Sequence, residues 1–119
     1  MKLKIIRIYT GEDNESHFDE VEMGLEQKTP IHFFSHMISN TGVDIHETSP
    51  GGSFEWHNAP RRQYVVTLAG KLEFENRKGE KQIINPGDIL LAEDVKGGGH
   101  KWRLLNDQPW RRIYIHLED

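Results

Sequence analysis

From Ile31 onward the chain is a succession of short apolar or β-branched segments, cut at close intervals by turn residues. The segments IHFFSHMIS, VDIHETS, SFEWHN, QYVVTLAG, KLEFEN, KQIIN, DILLAED, HKWRLLN and RRIYIHL are separated by Asn-Thr-Gly, Ser-Pro-Gly-Gly, Ala-Pro, Ala-Gly, Arg-Lys-Gly-Glu, Asn-Pro-Gly and Gly-Gly-Gly. Runs this short suit strands, and their spacing predicts an antiparallel all-β sandwich or barrel. After position 40 no stretch keeps a helical apolar period, so helices should be few or absent and confined to the first forty residues.

The first thirty residues differ. KLKIIRIYT is β-branched and ends at Gly11, which suits a strand, whereas GEDNESHFDEVEM reads as a solvated loop or a single helical turn. LAGKLEF and NRKGEKQ read as hairpins, and INPGDILLAED as a Pro-Gly turn leading into a strand deep in the core. A chain of 119 residues is expected to form one domain over 1–119, with a core barrel at about 31–117 and an N-terminal strand and loop at 1–30. Apolar residues are only 35% of the chain, but five Phe, three Trp and three Tyr supply bulky core material.

Charge and cysteine content narrow the function classes. A formal net charge of −4, with no basic cluster longer than Arg61-Arg62 or Arg111-Arg112, predicts neither a nucleic-acid nor a membrane partner. The chain has no cysteine, which removes disulfides, thiolate metal sites and cysteine nucleophiles, so any metal is held by nitrogen and oxygen. The opening MKLKIIRIYTGEDNE carries too short an apolar patch for a signal segment or a membrane span, and a cytoplasmic location is expected.

EWHNAPRRQYVVTLAG and PGDILLAEDVKGGGH are the stretches with chemical character. In their order and separation they resemble the two motifs of the cupin superfamily, over about residues 42–117. The resemblance implies a double-stranded β-helix, or jelly-roll, barrel. It also aligns the family's three-histidine, one-glutamate ligand positions with His57, Ala59, Gln63 and His100. Alanine has no donor and glutamine offers only a neutral oxygen, so the implied metal set is His57, Gln63 and His100, for zinc, nickel or iron(II). Strict strand alternation places Glu55 on the face of His57, where its carboxylate could complete the set.

Arg62, Tyr64, Trp102 and His116 are the expected pocket lining, with Arg61 beside Arg62 at the mouth. Arg61 and Arg62 could clamp an anion or simply form a solvated charge pair. Gly97-Gly98-Gly99 reads as a mobile lid, a close backbone approach or an irregular turn. Three functions fit: a metal-dependent enzyme, a metal-free binder or acid–base enzyme using His57 or His100, and a structural barrel filled by its own side chains. All three leave the ligand unnamed. A homodimer is expected, joined through IHFFSHMI and the N-terminal strand.

Overall fold

The β-branched run KLKIIRIYT forms β1 (Lys2–Thr10), and the acidic stretch after it is also a strand, β2 (Ser16–Gly24), paired antiparallel with β1. The loop or helical turn expected there is therefore corrected. Its acidic residues lie opposite basic ones: Lys4 faces Glu22 and Arg7 faces Asp19, with Arg7 Nε and Nη2 donating to the two Asp19 oxygens at 2.8 and 2.6 Å. Cross-strand charge pairing of this kind makes a strand from a sequence whose composition suggests a loop.

The computed structural model describes residues 1–118, and among them there is no helix. After a small hairpin of β3 (Glu26–Thr29) and β4 (His32–Phe34) come β5 (Asn40–Thr48), β6 (Ser53–His57), β7 (Gln63–Ala69), β8 (Leu72–Asn76), β9 (Lys81–Ile84), β10 (Ile89–Glu93), β11 (His100–Leu104) and β12 (Trp110–Leu117). They form a six-stranded sheet, β2-β1-β10-β7-β12-β5, and a four-stranded sheet, β6-β11-β8-β9. Among the described residues only β1 and β10 pair in parallel; β1 thus lies inside the larger sheet rather than beside it.

The sheets pack face to face in a jelly roll. Ile8, Leu90, Ala92, Val65 and Trp110 come from the larger sheet, and Leu72, Phe74, Ile84 and Trp102 from the smaller. Burying each large side chain contributes roughly 1.5–3 kcal/mol. β10 is deeply buried, as the Pro-Gly turn before it predicts, and NRKGEKQ does join the antiparallel pair β8 and β9.

LAGKLEF is different. β7 and β8 belong to different sheets, so the chain passes from one layer to the other at Gly70 instead of folding into a hairpin. Gly70 has φ +95°, and a Cβ there would stand 2.8 Å from the Pro109 carbonyl oxygen and 3.0 Å from Trp110 Cα. Only glycine allows the corner to come that close.

Candidate functional site

A β-bulge decides which side chains of β6 face the space between the sheets. On β6, the register against β11 runs from His57 opposite His100 to Phe54 opposite Trp102, three residues against two. The extra residue reverses the alternation of β6 between these points. Phe54 and His57 therefore share the inner face, with ring centroids 4.2 Å apart, and Glu55 lies in an outer groove with Glu73, Glu75 and Arg103. Glu55 is not a candidate ligand; its backbone carbonyl accepts the His57 Nδ1 hydrogen bond at 2.7 Å.

A second irregularity lies between Arg111 and Arg112 in the β12–β7 pairing, where Arg111 faces Ala69 and Arg112 faces Thr67, so the extra residue is on β7 and the alternation of β12 is kept. Trp110, Arg112, Tyr114 and His116 accordingly all face a cavity of about 520 Å³ between the sheets. Gln63 and Val65 of β7, His57, His100 and Trp102 line the same space, with Asp44 and His46 on β5 and Arg61 at the mouth. The inner row of β7 is as alternation predicts. Arg62 and Tyr64 are not in the lining. Arg62 turns to Glu93, Nε donating to Oε2 at 2.7 Å, and Tyr64 stands on the opposite face of β7 from Gln63 and Val65.

His57 and His100 are adjacent, their ring centroids 4.5 Å apart. His100 is 4% exposed and is held by Asp94, whose Oδ2 lies 2.5 Å from His100 Nδ1 and accepts the Ser16 hydroxyl at 2.6 Å. Asp94 itself is fully buried, and its Oδ1 has no hydrogen-bond partner. With Nδ1 of each ring engaged, Nε2 of each remains without a protein partner among the described residues. Burial above all, and then the neighbouring His100, push the His57 pKa below the ordinary imidazole value, against the raising effects of the Glu55 carbonyl and Asp94.

A second polar chain runs along the opposite wall. His116 Nδ1 lies 3.1 Å from Gln63 Oε1 and Nε2 3.1 Å from Asp44 Oδ1, while His46 takes the other Asp44 oxygen at 3.1 Å. His46 principally, with His116, holds the Asp44 carboxyl below the usual carboxylate range.

The donor set does not fit a resident divalent cation. Gln63 Oε1 is taken by His116, Ala59 has no donor and Glu55 faces away, which leaves two imidazoles. Among the described residues no three His, Asp or Glu side chains are grouped so as to hold a metal ion. Two ligands fall short of the three protein donors of an ordinary catalytic site. The Gly97–Gly99 segment is neither free nor ligand-facing. A Cβ on Gly97 would collide with the Asn14 carbonyl, and one on Gly99 with the His57 carbonyl.

The architecture matches solved structures closely enough to name it. A cupin-like protein from Thermotoga maritima superposes over 91% of this chain and 75% of its own, with TM-score 0.53 and 19% identity. A cupin domain from Bordetella pertussis matches over 82% of this chain and 96% of its own, with TM-score 0.51 and 21% identity. The fold is that of the cupins.

No family model matches the chain. Among curated proteins, this chain is similar to oryzines biosynthesis cluster protein J of Aspergillus oryzae, with 32% identity over 77 residues that make up 64% of this chain and 40% of that protein. It is similar also to the cupin-domain-containing oxidoreductase srdB of Neurospora crassa, with 29% identity over 84 residues, 70% of this chain and 41% of that one. The matched region is about two fifths of each relative's length. No helix among the described residues is long and apolar enough to cross a membrane.

Sequence reasoning missed Arg112, Asp94 and Asp44. Arg112 shares the parity of Tyr114 and His116, so extending the His116 row back along β12 finds it. Asp94 lies within the PGDILLAED stretch, but its role depends on Ser16, which is distant in sequence.

Proposed function

We propose that this cupin binds a small organic molecule between its sheets and that His57 serves it as a base, with no resident zinc, nickel or iron. The observation that carries this reading is the cavity of about 520 Å³, a volume within the range of small-molecule sites, onto which two anchored imidazoles open. A structural barrel would have filled that space. The lowered pKa keeps His57 neutral near neutral pH, and its Nδ1–H, fixed on the Glu55 carbonyl, presents a bare Nε2 lone pair. His100, oriented by Asp94, offers a second nitrogen to a polar group of the ligand.

The test uses neutral probes and cavity-filling variants. Indole, phenol and benzamide should raise the thermal midpoint of the wild type, and Val65→Trp or Ala59→Phe, which fill the cavity or its mouth, should remove the shift. Protein purified from metal-supplemented medium should carry no more metal than His57→Ala/His100→Ala. Probe binding that survives both filling variants, or stoichiometric metal lost in the double variant, would overturn the reading.

We also propose a homodimer joined through the outer face of the six-stranded sheet. Two apolar rows cross three strands there, Val66–Ile113–Ile45 and Tyr64–Ile115–Val43. Val43 and Ile45 are 58% and 67% exposed, and Leu68 extends the patch. The segment IHFFSHMI carries exposed Ile31, Phe34 and Met37 and remains part of the expected contact. The N-terminal strand β1, both of whose edges are paired with β2 and β10, would take part through its face.

A further inference from the structure

Arg112 is 6% exposed, and among the described residues it pairs with no carboxylate. Arg7, Arg62, Arg103 and Arg111 each do. A guanidinium cannot shed its proton to ease burial, so a buried one calls for a compensating anion. The protein meets part of that demand with neutral groups. Nε donates to Tyr114 Oη at 3.2 Å, Nη1 donates to Thr48 Oγ1 at 2.7 Å and to the Trp110 carbonyl at 3.0 Å, and the guanidinium stacks 3.9 Å over the Trp110 ring. Nη2 has no protein partner among the described residues, yet it is not sealed from the cavity Arg112 lines.

Asp44, the one carboxylate in the cavity lining among the described residues, is taken by His46 and His116 at 3.1 Å each. We infer that Arg112 anchors a carboxylate carried by the ligand, one oxygen accepting from Nη2 and the other from the Tyr114 hydroxyl, whose oxygen already accepts from Nε. This inference rests on the cavity being a ligand site. The two donors suit a planar monoanion better than a phosphate, which needs more of them. Trp102 and Trp110, their ring centroids 4.7 Å apart, and Phe74 against Trp110 give the rest of the ligand an aromatic surface. The ligand class is a small monocarboxylate with an apolar or aromatic body.

Calorimetric titration of the full chain tests this with matched pairs: acetate, benzoate, phenylacetate and cyclohexanecarboxylate, each against its neutral amide, with inorganic phosphate as a further arm. At least one acid should bind the wild type tenfold or more tighter than its amide. Arg112→Gln should lose that preference, its affinity for the acid falling to that for the amide, and Arg112→Lys should keep part of it. Equal affinity for acid and amide in the wild type, a preference that persists in Arg112→Gln, or tighter binding of phosphate than of every acid would overturn the inference and leave the ligand site standing. If no acid and no neutral probe binds the wild type, the ligand site fails with it. The wild-type comparison decides the matter even if Arg112→Gln does not fold.

Discussion

Asp94 is the residue on which the histidine pair depends. It is fully buried and fixes the ring of His100 through Nδ1, while Ser16, at the turn of the β1–β2 hairpin, shares the same oxygen. His57 has no such counter-charge in direct contact and is instead disfavoured as a cation by burial. The sign of its linkage follows. The folded state holds the His57 proton more weakly than the unfolded chain does, so the unfolded state binds more protons as pH falls. The stability His57 contributes is complete above the ordinary imidazole pKa of about 6.5 and is lost as pH drops from there through the depressed folded value. A proton NMR titration should place the His57 ring midpoint below the ordinary imidazole value of about 6.5, and the gap between wild-type and His57→Ala stability should shrink from pH 8 to pH 5. A His57 midpoint at or above that value would contradict the burial argument.

At the scale of the element, bulges are what the sequence could not disclose. Strict alternation identifies the inner rows of β7 and β12 correctly, and with them Gln63 and His116. On β6 one extra residue turns Glu55 outward and Phe54 inward, and nothing in SFEWH announces it. Arg62 and Tyr64 were misplaced for other reasons: Glu93, on the neighbouring strand β10, captures the first, and parity with Gln63 excludes the second. The jelly roll, the depth of β10 and the nearness of His57 to His100 were all legible, since they follow from turn spacing and from the two cupin-like motifs. β2 was not, because pairing with β1 decides its state and local composition does not.

The three glycines form a tight seam rather than a lid. Gly99 has φ +76° and approaches the carbonyl of His57 itself. Gly99→Ala should therefore cost about 1–3 kcal/mol in urea unfolding. It should also displace His57 from His100, read as a shifted His57 ring resonance. A neutral substitution would mean that the seam is slack.

For the whole molecule, the apolar rows across β7, β12 and β5 give the outer sheet face a character at odds with the charge on β2 and on the smaller sheet. Ile45→Glu, which places a charge amid those rows without touching the cavity side of β5, should convert a dimer to a monomer in light scattering and leave ligand binding intact. A wild type that elutes and scatters as a monomer at tens of micromolar would remove the dimer.

The position of β12 within the larger sheet has a consequence for how the chain comes to be folded. β12 lies between β7 and β5 and is, among the described residues, the only strand bonded to β5, although some sixty residues of chain separate the two. Until β12 emerges, a nascent chain leaves both edges of β5 unpaired, and the wall that carries Arg112, Tyr114 and His116 does not yet exist. The cavity is thus closed only when β12 docks, and until then β5 offers two open edges to wrong partners, against one in the finished sheet.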